Sequence, residues 1–475
     1  MPEPAAPTAV SAPKQGEVLP LSVIATYCLP TVGCGFMFLL FALYLMPFST
    51  NVLGISPAVI GTILFASRIW DAISDPLAGY WSDRTRSRFG RRRPWILAST
   101  VPVGAAYLMV WSPPPALSES ALLVWMTVGV FGFYSAMTVF IVPHTSLGAE
   151  LSPDYHDRNR IFGMRHAGWM LGSALAVGGM YMLIDAKENA LSLGQSADAA
   201  VRGVAAEMAI VVAIVTAVTL VFTVIRLRER PEFQGRGSRH PYGAFADVLK
   251  NPHARLLVVV YFIENLGAAT ISVLALYISD YVIGAPELAP VLILSYMVPS
   301  IVSVPLWIPI SRKIGKKRLW LGSMVLTGFS FGAMFFFGEG DILGICIFAA
   351  LAGTAAGAGG TVAPSIQADV IDFDEFCTGE RKEGAYFATW NLVYKSSTGI
   401  TFLLAGFVLE ASGFVPNVEQ PDSVKDAIRT LFAVFPFGCY LLGAAIFSRF
   451  SLGEKEHRAI RVELERRAET GSGVA

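Results

Sequence analysis

Long stretches with no charged residue limit what this chain can become. Met208–Val224 and Leu343–Ala358 each run without a single Asp, Glu, Lys or Arg, and neither shows the polar stripe of an amphipathic helix. A helix that is apolar all round belongs in a large core or in lipid. Only 15% of the 475 residues are charged, where soluble domains carry about 25%. A transmembrane helix takes roughly 20 mostly apolar residues. Spans of that kind are read near 21–47, 58–81, 94–112, 121–148, 161–184 and 207–227, and again near 254–283, 288–311, 319–337, 342–366, 385–410 and 430–450. The expected fold class is an all-α polytopic membrane protein with 12 transmembrane helices.

The 36 basic and 36 acidic residues cancel, which argues against a nucleic-acid partner, so their placement carries the information. Arg84, Arg86, Arg88, Arg91, Arg92 and Arg93 follow span 2, Arg158 and Arg160 follow span 4, and Arg226, Arg228 and Arg230 follow span 6. Arg312, Lys313, Lys316, Lys317 and Arg318 follow span 8, with Arg381, Lys382 and the basic tail on the same side; the other side carries only Lys187, Arg202, Lys425 and Arg429. The positive-inside rule then puts both termini in the cytoplasm of a cell-membrane protein. Cys28, Cys34, Cys346, Cys377 and Cys439 form no metal-type pair and read as small packing residues.

An internal repeat divides the chain. Phe89-Gly90-Arg91-Arg92-Arg93 after span 2 has a counterpart in Ile314-Gly315-Lys316-Lys317-Arg318 after span 8. The organisation expected is a disordered tail over 1–20, a six-helix bundle over 21–227, a cytoplasmic linker over 228–253, a second six-helix bundle over 254–450 and a tail over 451–475. Two related six-helix halves joined by a basic loop are the layout of the major facilitator fold.

Charges inside the spans mark the candidate sites. Arg68, Asp71, Asp75 and Gly79 fall at steps of three and four on one face of span 2. Arg68 lies about 15 Å and Asp71 about 20 Å along the helix, where an unpaired charge costs at least ~2.5–3.5 kcal/mol. Two carboxylates one turn apart resist double ionisation, so the pair should take up a proton or a hard cation such as Na+. An Arg68–Asp71 ion pair that only locks helices is the alternative. Lys395 sits near the middle of span 11 behind Trp390, Asn391 and Tyr394 and needs a carboxylate; the span 2 aspartates are available. Glu264 and Asn265 lie mid-span 7, as a protonation site, a substrate contact or a structural carboxyl. Arg165 and His166 open span 5, and Arg165 either binds substrate oxygens or closes a gate. Trp169, Tyr261 and Trp390 either stack on a ligand or pack helices. Gly357, Gly359, Gly360 and Pro364 make span 10 a candidate gating helix.

Two acidic clusters, Glu150, Asp154 and Asp157 after span 4 and Asp369, Asp372, Asp374 and Glu375 after span 10, stand at matching positions beside the basic loops. With Asp83, Arg84, Arg91 and Arg158 they form a candidate cytoplasmic gate, or else solvated loop charge. No phosphate-binding loop, zinc-ligand set or nucleophile elbow occurs in the sequence, so neither an ATP-driven pump nor a membrane enzyme is expected.

Arg68-Ile69-Trp70-Asp71-Ala72-Ile73-Ser74-Asp75-Pro76, followed by Asp83-Arg84-Thr85-Arg86-Ser87-Arg88-Phe89-Gly90-Arg91, closely resembles the glycoside–pentoside–hexuronide:cation symporters. Val142–Glu150, Ala368–Asp372 and Gly413–Gln420 resemble later motifs of that family, and the likeness runs from about residue 20 to 465. The resemblance implies that Asp71 and Asp75 bind the coupling cation, that Lys395 is the family's helix 11 lysine and that Arg165 contacts sugar. It also shows departures. Gly35, Ile141 and Gly360 stand where sugar-binding family members carry an aspartate, an aspartate and a tryptophan, and Glu264 stands where they carry a tyrosine. A more distant similarity to the sodium-dependent lysophosphatidylcholine symporters fits an apolar span 1 with Phe36, Phe38, Leu39 and Leu40.

The function expected is Na+- or H+-coupled symport of a glycoside, sugar or sugar acid by alternating access, with no cofactor beyond the ion. A lysophospholipid or other amphiphile is the second substrate class, and a transport-dead sensor is the non-transport reading. Arg68 and Lys395 compensate charge. Arg165, Trp169, Tyr261, Glu264, Asn265, Trp390, Asn391 and Tyr394 are the pocket candidates, in a protein expected to work as a monomer among membrane lipids.

Overall fold

The computed structural model describes residues 19–152, 155–227, 229, 248–379 and 382–471. Every regular element among them is a helix. The helices are α1 (Leu21–Pro47), α2 (Pro57–Arg84), α3 (Arg93–Trp111), α4 (Glu119–Leu151), α5 (Tyr155–Ser192), α6 (Ala197–Arg226), α7 (Pro252–Tyr277) and α8 (Ala289–Val302). They continue with α9 (Val304–Ile314), α10 (Lys316–Met334), α11 (Ile342–Thr378), α12 (Glu383–Ala411), α13 (Asp422–Arg429), α14 (Phe435–Phe447) and α15 (Glu454–Gly471).

Among the described residues nine helices are long and apolar enough to cross a membrane, or ten if the bent pair Pro286–Val302 and Val304–Ile314 counts as one span. Helices α2 and α10, of 28 and 19 residues, have the length but not the apolarity. Arg68, Asp71 and Asp75 interrupt α2, and Lys316, Lys317 and Arg318 open α10. Ile210, Ile214, Val218 and Ile225 lie exposed along α6. A row of bare aliphatic side chains on a fully hydrogen-bonded helix suits hydrocarbon, not water.

The chain divides into two compact units, Met1–Ile55 with Ala66–Pro241, and Ser56–Phe65 with Tyr242–Ala475. The first turns of α2 thus group with the second unit. The repeat extends further than the basic loops. In the first unit α1 runs into a π-helical turn, Phe48–Val52, and in the second α7 runs into another, Ile278–Ile283. Ser49 and Ser279 each donate back to the carbonyl four residues earlier, at 2.8 and 2.9 Å. Gly54 and Gly284 then turn the chain at φ 69° and 72°, a left-handed conformation natural to glycine. The glycines of the basic loops share the same reason: Gly90 has φ 99° and Gly315 has φ 87°.

Glycine also sets the closest helix crossings. A Cβ at Gly35 would collide with the Trp169 carbonyl, and one at Gly172 with the Val32 carbonyl, so α1 and α5 meet backbone to backbone. Gly353 and Gly357 bring α11 equally close to the Tyr296 and Ser300 carbonyls of α8. Gly357 is thus a packing residue, whereas Gly360 has open space beside it. Helix α3 starts where Glu229 accepts the amide hydrogens of Arg91, Arg92 and Arg93 at 2.7, 2.8 and 2.7 Å, an acidic cap on the positive helix end. The residues expected as a C-terminal tail form helix α15.

Candidate functional site

In the first unit α2 presents Asp71, which is buried, and Asp75, which is half-buried, one turn apart. Thr138 of α4 stands opposite them. Its hydroxyl lies 2.8 Å from Asp71 Oδ1 and 2.8 Å from Asp75 Oδ1. A hydroxyl has one proton to donate. That proton can go to only one of the two carboxylate oxygens at a time, and the close grouping of three oxygens is compatible with a proton on one carboxyl or a cation among them. Ser74 Oγ lies 3.4 Å from the Thr138 hydroxyl and donates to the Asp71 carbonyl at 3.2 Å. The donor set is all oxygen, which fits a proton or a hard monovalent cation.

Arg68 extends this group. Its Nη1 is 3.8 Å from Asp71 Oδ2, a long ion pair, and its guanidinium stacks 4.2 Å above the Tyr134 ring. Its Nε finds no acceptor among the described residues. Phe38 lies beyond Tyr134 at 6.2 Å between ring centroids and 5.3 Å from Trp169. Asp75, Thr138, Asp71, Arg68, Tyr134, Phe38 and Trp169 therefore form one continuous series from oxygen site to aromatic face. Arg165, one turn before Trp169, donates to the Thr145 hydroxyl at 3.1 Å and stays half-buried.

The second unit divides its candidates. Tyr261 and Trp390 lie 6.4 Å apart between ring centroids with their planes tilted by 43°, and Trp390 stacks on Tyr386 at 6.2 Å. Asn265 donates its side-chain amide to the Tyr261 carbonyl at 2.7 Å, which ties it to its own helix. Asn391 and Tyr394 are exposed on α12, and Lys395 is half-buried beside them. Glu264 turns elsewhere, toward Trp320 of α10, whose indole N–H reaches Glu264 Oε1 at 3.5 Å.

Each unit pairs its basic loop with its own acidic cluster. Arg91 donates to Glu150 at 2.6 Å, and Arg92 bonds Glu150 at 3.3 Å, Ser82 at 2.6 Å and Asp83. Both arginines are buried, so these pairs are more than solvated loop charge. Arg84 instead lies over the Tyr80 ring at 3.6 Å. Lys316 grips Asp369 through both carboxylate oxygens at 2.6 and 2.9 Å. Asp154 and the Arg158 side chain lie outside the described residues. Helix α15 completes the second cluster. His457 sits 3.0 Å from Asp372 and 3.6 Å from Asp369, Arg461 lies 3.7 Å from Asp372, and Arg467 donates to the Phe376 carbonyl at 2.9 Å. Within α15, hydrogen bonds from Arg466 and Arg467 hold the Glu463 carboxyl down to about 2.

Sequence reasoning missed Thr138, Tyr134 and the strap made by α15. A threonine or tyrosine in a span has no burial penalty that would single it out, and the charges of α15 read as ordinary tail charge.

Residues 26–454 match the family model described as MFS/sugar transport protein. The glucuronide carrier protein homolog of Escherichia coli (strain K12) is 25% identical over 94% of this chain and 95% of its own length. The sodium-dependent lysophosphatidylcholine symporter 1-A of Danio rerio is 24% identical over 96% of this chain and 91% of its own. The solved structure of the nucleoside transporter NupG superposes with a TM-score of 0.62 at 12% identity, covering 90% of this chain and 98% of that one. That likeness shows the fold alone.

Proposed function

The chain belongs to the MFS/sugar transport protein family, and from that premise we propose that it is a cation-coupled symporter of a glycoside, sugar or sugar acid, working by alternating access. The observation that carries this reading is the single Thr138 hydroxyl shared by Asp71 and Asp75. Those three residues bind the coupling ion, Na+ or H+. Arg68 offsets the carboxylate charge when the ion is absent, so the empty pair is not left bare at membrane depth, and Lys395 is the charge-compensating lysine of the second unit. Arg165 donates to substrate oxygens, and Phe38 and Trp169 offer ring faces to the C–H face of a sugar. Tyr261 and Trp390 are the corresponding aromatics of the second unit, with Asn265, Asn391 and Tyr394 beside them. Helices α2 and α10 span the membrane too, Arg68 and Asp71 of α2 being buried and the charges of α10 lying in its first turn, which makes twelve spans in halves over 21–227 and 254–450. Both termini are cytoplasmic, and the protein works as a monomer.

One observation favours a second substrate class. No side chain fits at position 35, where α1 meets the Trp169 carbonyl, so α1 has no carboxylate with which to read sugar hydroxyls. An amphiphile would need none there, and a lysophosphatidylcholine symporter is among the relatives.

The test is thermal stability of the purified protein against a panel of sugars, sugar acids and lysolipids, each with and without Na+ and at two pH values. Stabilisation by a glycoside that strengthens with Na+ or with protons supports the leading reading. Stabilisation by lysolipids alone overturns the sugar class and leaves the ion site standing. An ion response absent with every ligand overturns the coupling.

A further inference from the structure

Glu264 lies twelve residues after the start of α7, about 18 Å along the helix. That is mid-membrane depth, where an ionised carboxylate is costly unless a partner offsets it. Its surroundings differ from those of Asp71 and Asp75. Trp320 of α10 gives one N–H at 3.5 Å, the long limit of a hydrogen bond. Gly359 of α11 lies beneath the pair and contributes no side chain. Tyr296 of α8, Tyr440 of α14 and Tyr261 of α7 itself are the phenols within electrostatic reach. Among the described residues no lysine, arginine or histidine hydrogen-bonds the Glu264 carboxyl or forms an ion pair with it. No cluster of three acidic, histidine or cysteine side chains surrounds it among the described residues.

We propose that Glu264 is a second ion site of this transporter, one that takes a proton and is separate from the Asp71/Asp75 cation site. The chemistry selects the proton. A metal cation would need several oxygen ligands about it, and here the hydrogen-bond partner of the carboxyl is a single indole N–H. A proton neutralises the carboxyl by itself and needs no further ligand. Glu264 is half-buried. The consequence for transport rests on the symport reading: sugar uptake would respond to a proton gradient through α7 as well as to the cation held on α2.

The experiment is pH-difference infrared spectroscopy on the full-length protein in lipid vesicles, with the proton itself as the probe and no substrate added. The protonated-carboxyl C=O band that titrates in the Asp71→Asn/Asp75→Asn double variant should lose amplitude when Glu264→Gln is added to it. An unchanged amplitude in that triple variant overturns the proposal. Should Glu264→Gln fail to fold, Trp320→Phe keeps the carboxyl and removes its N–H donor, so the titration midpoint of the band must move. An unmoved midpoint is equally fatal. Because no sugar enters the measurement, its failure and the failure of the symport reading are distinguishable.

Discussion

Thr138→Val tests the ion site at its least obvious member. Valine keeps the shape of threonine in this buried position and removes only the hydroxyl, which stands 2.8 Å from both carboxylates. Hydrogen bonds to charged groups are worth roughly 1.5–3 kcal/mol. At tenfold per 1.4 kcal/mol, losing that oxygen should weaken binding of the coupling ion by about 10- to 150-fold. The assay is the Na+ concentration giving half-maximal thermal stabilisation of the purified variant, paired with a pH titration of the same stability in Na+-free buffer. One of the two midpoints should move by at least tenfold in concentration. If both stay within threefold of wild type, the hydroxyl is no part of the site, and the argument from one proton between two carboxylates is wrong.

Three further outcomes are expected. Asp71→Asn should abolish ion-driven accumulation in vesicles while sparing part of the substrate exchange; full accumulation would remove Asp71 from coupling. Gly35→Ala inserts a methyl where the Trp169 carbonyl already sits, an overpacking that costs about 1–3 kcal/mol. An unchanged melting temperature would refute the close α1–α5 crossing. The His457→Ala/Arg461→Ala double variant removes the contacts of α15 with Asp369 and Asp372, so trypsin should cut after Lys455 faster than in wild type. Equal cleavage rates would show that α15 is held by other contacts.

The membrane spans were legible because lipid imposes a length and an apolarity that any helix crossing it must meet. Helices α3 and α4 start within two residues of where their apolar runs begin. Asp71 and Asp75 were legible for the opposite reason, since a charge at that depth is too costly to be incidental. The repeat of Gly90 and Gly315 could be seen as well, and its cause is a left-handed φ that other residues avoid. The second copy of the repeat, Ser49 to Gly54 against Ser279 to Gly284, was there to be read but is marked by no charge.

The tertiary structure alone decided what those residues meet. Thr138 is 67 and 63 positions from the aspartates it joins, and nothing in its own helix distinguishes it from a threonine bonded to a backbone carbonyl. Glycine 35 is silent in sequence until the Trp169 carbonyl is placed against it. Glu264 shares a helix turn with Tyr261 and Asn265, yet its side chain reaches Trp320, on a helix that begins more than fifty residues later. Apolarity, charge depth and glycine are properties a residue has by itself, whereas a shared hydroxyl, a closed crossing or a lone indole donor exists only once two distant segments are packed together.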